Sequence, residues 1–211
     1  MKLIDILAEA PLPDDWEKDI YNERIPFAKR VRYAQERAKK LGSGSARVAF
    51  EIPYEGRQTV LKVAKNPKGA AQNDAEAQLL ADWHIKQYNI LIPLIDFDEE
   101  NSYPTWIHME KAEKAKASDF KRIAGAPLDD LIYAARFNSG KLRDKLYDQK
   151  YESKLNPEEN ETLEGLIQLL GNYGLPYGDF SKTNSWGIYK GKLVLVDIGL
   201  TNEIFRTHYS R

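Results

Sequence analysis

Apolar residues recur at two different periods along the chain, and each change of period marks an element. Residues 26–40 place Val31, Tyr33 and Ala34 among lysines and arginines at helical spacing, which predicts a helix with a solvated basic face. From 49 to 64 the pattern becomes that of strands: Ala49-Phe50-Glu51-Ile52, a turn at 53–56, then Gln58-Thr59-Val60-Leu61-Lys62-Val63-Ala64. Helical spacing returns at 73–80, and two further strand runs, 90–97 and 106–110, flank the polar turn 98–102. Ser118 and Asp119 cap a helix, and 128–137 and 157–170 supply two more, the last with Asn156 as N-cap before Pro157 and Gly171 as its stop. Trp186-Gly187-Ile188-Tyr189 and Leu193-Val194-Leu195-Val196, separated by Lys190-Gly191-Lys192, predict a β-hairpin. The charged stretch 141–154 fits either a helix extension or an excursion, and there is no internal repeat. The sum is an α+β chain: a helical extension over 1–40, a mostly β part with one helix over 41–112, and a mostly helical part holding the hairpin over 113–211.

Composition narrows the chemistry. The 211 residues suffice for one or two compact domains. With 31 basic and 32 acidic residues the balance makes no case for a nucleic-acid or membrane surface. There is no cysteine, so disulfides, thiolate nucleophiles and cysteine–zinc sites are excluded. His84, His108 and His208 are too scattered for a zinc helix motif, and no Gly-x-Ser-x-Gly elbow supports serine hydrolysis. The apolar start, Met1 to Leu7, contains an aspartate and is too short for a signal peptide, and nothing approaches a membrane span. The expected location is the cytosol of a bacterium or a phage-infected bacterium.

The hairpin carries the strongest chemical signal. Tyr177-Gly178-Asp179-Phe180-Ser181-Lys182-Thr183-Asn184 precedes it and Asp197-Ile198-Gly199 follows. A hairpin brings its two ends together, so Asn184 and Asp197 become neighbours, and two hard oxygen ligands at one point suit Mg²⁺. Asp179, five residues before Asn184, can orient a hydroxyl or accept its proton. A surface hairpin with acidic ends is the plainer alternative.

These residues resemble the protein-kinase-like superfamily, which includes protein kinases and aminoglycoside phosphotransferases. Asp179 to Asn184 is similar to its Asp-x-x-x-x-Asn catalytic loop, and Asp197-Ile198-Gly199 to its Asp-Phe-Gly metal motif. The resemblance implies a two-lobed fold: an antiparallel β lobe with one helix, then a reduced helical lobe. It implies binding of ATP and Mg²⁺, with Asp179 as catalytic aspartate and Asn184 and Asp197 as metal ligands. Lys182 would neutralise charge on the γ-phosphate, although the usual family lysine falls one position earlier, where this chain has Ser181.

Further family signals follow in order. Leu41-Gly42-Ser43-Gly44-Ser45-Ala46-Arg47-Val48 resembles a glycine-rich nucleotide loop, in which Gly42 and Gly44 would admit phosphate and Val48 would cover adenine. Ala46 and Arg47 stand where a third glycine is usual. Lys62 lies in an apolar strand, where an ammonium needs an anion. It resembles the family lysine that holds the α- and β-phosphates, with Glu76 on the helix as its partner. Met109 would guard the back of the adenine pocket, and the Glu110 carbonyl and Ala112 amide would hydrogen-bond the base. The plainer alternative makes Lys62 an edge lysine and Glu76 an exposed helix residue.

Only Leu200 to Arg211 follow the metal motif, which leaves no room for the activation segment and substrate helices of a full protein kinase. Gly178 before Asp179 resembles the small-molecule and atypical branches. The implied protein is a minimal, C-terminally truncated phosphotransferase acting on a hydroxyl, with protein as the expected acceptor. Alternatives are a non-catalytic nucleotide-binding or interaction module, a small-molecule kinase, and an AMP transferase. Self-association or a partner chain is expected to complete the helical lobe near Ile198, Leu200, Ile204 and Phe205.

Overall fold

The structure is a computed structural model and describes residues 12–13, 16–22, 24–143 and 155–198. Its first regular helix, α1 (Phe27–Arg37), stops short of the predicted 40 because Ala38 is already extended and Lys39 pairs with Glu51. Cross-strand pairing thus overrides helical spacing over 38–40. Nor is the basic face of α1 wholly solvated. Arg30 is buried, donates to the Asn22 carbonyl at 2.6 Å and lies over the Phe27 ring.

β1 (Lys39–Ser43), β2 (Arg47–Tyr54), β3 (Arg57–Ala64), β4 (Leu94–Phe97) and β5 (Trp106–Glu110) form an antiparallel sheet in the order β1-β2-β3-β5-β4. The β2–β3 turn is closed by Glu55 and Gly56, both at positive φ, the geometry that lets a two-residue loop follow the strand twist. Alternation along β2 and β3 splits their residues between two faces. Val48, Phe50, Ile52, Leu61 and Val63 pack with Leu12, Trp16, Tyr21 and Tyr33 of the N-terminal segment. Ala49, Val60 and Lys62 take the other face and line a cleft.

The predicted strand over 90–97 is interrupted. Pro93 has no amide to donate, and its carbonyl instead accepts from Glu110 N–H at 3.0 Å. Only Leu94–Phe97 joins the large sheet. Ile90 and Ile92 instead bond Leu195, at 2.8 and 3.1 Å, in the hairpin of the second sheet. That sheet has the order β6-β7-β8, with β6 (Glu113–Lys114), β7 (Trp186–Tyr189) and β8 (Lys192–Leu195).

α2 (Pro67–Ala81) crosses behind the cleft. Asn66 caps it by accepting from Gly69 N–H at 3.0 Å, and Pro67 opens its first turn. α3 (Trp83–Lys86) follows, capped by Asp82, whose second oxygen accepts from Tyr173. That hydrogen bond, foremost, holds the Asp82 carboxyl below the usual range.

The helical half contains α4 (Ala117–Ala124), α5 (Leu128–Asn138) and α6 (Glu161–Gly171). In α4 the Asp119 carboxylate reaches back to the Lys116 N–H, so Asp119 is the capping group from inside the first turn. The helix predicted over 157–170 is split. Pro157–Glu159 makes one 3₁₀ turn, and Asn160, in extended backbone, starts α6 afresh by accepting from Leu163 N–H at 3.0 Å. Leu131, Leu163, Leu166 and Leu169 join Phe120, Phe180 and Trp186 in one apolar cluster beneath the second sheet. Of the residues expected near a partner contact, Ile198 is buried in that cluster, and Leu200, Ile204 and Phe205 lie outside the described residues. Most of 141–154 lies outside them too. Among the described residues no helix is long and apolar enough to cross a membrane.

A test of this packing lies at Gly69, where an added Cβ would fall 2.1 Å from the Ala46 carbonyl oxygen. Alanine gains about 1 kcal/mol of helix propensity, but overpacking against backbone costs about 1–3 kcal/mol. Gly69→Ala is therefore expected to lower stability in urea titration despite its better helix propensity.

Candidate functional site

The site begins with the hairpin. Lys190 and Gly191, both at positive φ, close it, and β7 and β8 pair from Trp186 with Leu195 to Tyr189 with Lys192. The open ends meet: Val196 N–H donates to the Ser185 carbonyl at 2.8 Å. Asn184 and Asp197, one residue beyond each, therefore line the same cleft. The preceding segment is a helical turn, Tyr177–Phe180, followed by a 3₁₀ turn, Thr183–Ser185. Trp186 fixes it by donating from Nε1 to the Phe180 carbonyl at 2.7 Å, and its ring meets Phe120 edge-on. This brings Asp179 to the cleft, where Lys182 Nζ donates to its Oδ1 at 2.9 Å. The Asp179 contact raises the Lys182 pKa, so the ammonium stays charged.

On the opposite wall, β3 presents Lys62 and α2 presents Glu76. Lys62 Nζ donates to Glu76 Oε1 at 2.7 Å and to the Val196 carbonyl at 2.6 Å. Glu76 is fully buried, so the plainer expectation of an exposed helix glutamate does not describe it. Its second carboxylate oxygen accepts from Arg47, a residue outside the predicted site. Arg47 Nη2 also donates to Asp197 Oδ1 at 2.6 Å, and Lys62 lies 3.6 Å from that same oxygen. Asp197 sits on the cleft floor with its side chain 63% exposed. Desolvation in the cleft works against its ionisation, but the Lys62 and Arg47 cations outweigh it and hold the carboxyl below its usual range.

The cleft encloses about 1110 Å³. Gly42 and Gly44 line it, and an added Cβ would meet nothing within 4 Å at Gly42 and only the Arg47 carbonyl, at 3.9 Å, at Gly44. Lys65 ties the segment down by donating to the Gly44 carbonyl at 2.9 Å. Met109, Glu110 and Ala112 lie along the back and side, and Glu110 extends its carboxylate outward to Arg57. Val48 departs from expectation: it points through β2 into the opposite apolar cluster. Strand residues alternate in direction, so the cleft-facing positions are its neighbours Arg47 and Ala49. Leu41, 43% exposed at the cleft mouth, is a further apolar lining residue that motif matching passed over. Alternation along β2 could have found Ala49. Gly187 forms part of the floor, where an added Cβ would lie 2.5 Å from Ala112 Cβ, so the strand leaving β5 can press directly onto β7.

Glu76→Gln is expected to destabilise the protein by about 3–5 kcal/mol, because it leaves Lys62 and Arg47 without their buried counter-charge. Urea titration at neutral pH measures it, and a loss below about 1 kcal/mol would contradict the network. The lowered Asp197 carboxyl contributes stability above its unfolded value, near 3.8, which is lost as pH falls through the lower folded value. Asp197→Asn is therefore expected to flatten the acid limb of a stability–pH curve below about pH 4.

No protein-family model matches this chain and no curated protein matches it.

Proposed function

We propose that this chain is an ATP- and Mg²⁺-dependent phosphotransferase of the protein-kinase-like type, with two lobes, acting on a hydroxyl acceptor, most readily that of a protein. The observation that carries the reading is convergence. Lys62, Asp179, Asn184 and Asp197, spread over much of the sequence, line one cleft together with the Gly42–Gly44 segment, and Lys62 is paired with a buried helix glutamate. A cleft of about 1110 Å³ accommodates a nucleotide with its phosphates.

Leu41, Ala49, Val60 and Met109 supply apolar surface for a base, and the Lys62 ammonium in the same cleft is the group that phosphates would meet. Asp197 and Asn184 offer a carboxylate and a carboxamide oxygen, a hard donor set that fits Mg²⁺ completed by water and phosphate oxygens. When bound, the cation supplies charge neutralisation to the phosphoryl group in transfer. Asp179 accepts the acceptor's hydroxyl proton as its oxygen bonds to the γ-phosphorus; the bond from that phosphorus to the β–γ bridging oxygen breaks, and ADP leaves. Lys182, held on Asp179, adds positive charge beside the transfer path. One observation favours a second reading, nucleotide binding without transfer: Asp197 is engaged by Arg47.

Incubation with γ-labelled and, separately, α-labelled ATP in a lysate of the native host separates phosphoryl transfer, AMP transfer and binding alone. Asp179→Asn is expected to lower phosphoryl transfer by about two to four orders of magnitude while leaving Mg-ATP affinity nearly unchanged. Saturating Mg-ATP, at a hundredfold its dissociation constant, adds about 2.7 kcal/mol to stability, visible as a raised melting temperature. Asp197→Ala is expected to remove the metal-dependent part of that rise. An unchanged melting curve at millimolar Mg-ATP would overturn the reading.

A further inference from the structure

Arg47 stands where the glycine segment turns into β2, with its side chain only 10% exposed at the cleft floor. Its Nη1 donates to Glu76 and, at 3.4 Å, to Asn73 Oδ1, while Nη2 donates to Asp197 Oδ1. Lys62 shares both carboxylates. Among the described residues, these two cations and two anions are in direct contact and their formal charges balance, while Lys182, itself paired with Asp179, acts on Asp197 from farther off.

That balance constrains any incoming ligand. A divalent cation arriving alone has to compete with Arg47 for Asp197, and success would leave a guanidinium beside a metal with half its counter-charge withdrawn. A polyphosphate arriving alone meets Asp197 still in place. Arriving together, the two relieve each other: Asp197 turns to the metal, and the guanidinium, released from one carboxylate, meets the phosphate oxygens it is shaped to bind. Glu76, buried and bonded to Nη1, is placed to serve as the pivot of such an exchange.

We propose that Arg47 is a polyphosphate-binding residue that exchanges Asp197 for the nucleotide's phosphates, so that metal and nucleotide bind as a coupled pair and each binds poorly alone. The inference rests on the nucleotide reading above. It also accounts for the residue that replaces the usual third glycine, since a charged side chain does there what bare backbone amides do in a glycine loop.

The test uses the full chain and two probes, Mn²⁺ alone by water-proton relaxation and ATP by calorimetry in EDTA and in Mg²⁺. Arg47→Ala is expected to tighten Mn²⁺ binding about tenfold, to weaken ATP binding in EDTA about tenfold, and to shrink the gain in ATP affinity that Mg²⁺ brings, magnitudes usual for coupling between two sites. Arg47→Lys keeps the charge but is shorter and lacks the planar fork that gives Glu76 and Asp197 a nitrogen each. It is expected to tighten Mn²⁺ several-fold while holding ATP affinity in EDTA near the native value, and it carries the test if the alanine variant does not fold. If the native chain binds Mg-ATP and neither variant changes Mn²⁺ or ATP affinity, Arg47 only anchors the glycine segment and this inference falls alone. If the native chain binds no Mg-ATP at all, the nucleotide reading falls and takes this inference with it.

Discussion

The buried carboxylate of Glu76 is the interaction on which the cleft depends. A carboxylate removed from water carries a penalty of several kcal/mol unless its charge is met and its oxygens are hydrogen-bonded. Here one oxygen is met by Lys62 from β3 and the other by Arg47 from β2. Through them the same charge reaches Asp197 at the end of the hairpin. One side chain on α2 therefore ties the helix directly to the large sheet and, through Lys62 and Arg47, to the end of the hairpin. The helix can supply it because Asn73, three residues earlier on the same face, is also buried and bonds the Pro104 carbonyl at 3.1 Å, which fixes the rotation of α2.

The large sheet works as a two-sided plate. One face is dry and sealed by the N-terminal segment, where Trp16 and Tyr21 stack and Tyr33 meets both edge-on. The other carries Lys62, Val60 and Ala49 toward the cleft. Because direction alternates with every residue, sealing one face decides what the other can display. The apolar strength of Phe50, Ile52, Leu61 and Val63 is what holds Lys62 and Arg47 in register opposite them.

Much of this was legible in the residues, and the misses have physical causes. Lys62 inside an apolar strand demanded an anion, and the hairpin around Lys190 and Gly191 demanded that its ends meet. Both follow from local rules. The end of α1 is not visible in the sequence, because Lys39 pairs with a strand residue distant from it. The break at Pro93 and the restart at Asn160 rest instead on local signals, a proline without an amide and an asparagine cap, that override the apolar spacing running through them. Val48 was misplaced because motif matching assigns a residue to a role, whereas the pleat assigns it to a face. In the sequence Arg47 is only a departure from a glycine pattern, and its value emerges once Glu76 and Asp197 are brought beside it in space.

The placement of tryptophan gives the molecule its own optical reporters. Trp16 lies within the N-terminal seal, Trp106 in the large sheet and Trp186 at the cleft floor, all buried, while Trp83 is 68% exposed. Quenching by iodide would silence Trp83 first and leave emission from the three interior rings. Of those, Trp186 alone lines the cleft, its indole N–H fixed on the backbone of the turn that carries Asp179. Events in the cleft are thus wired to a fluorophore the chain already contains, and they can be followed without attaching a dye.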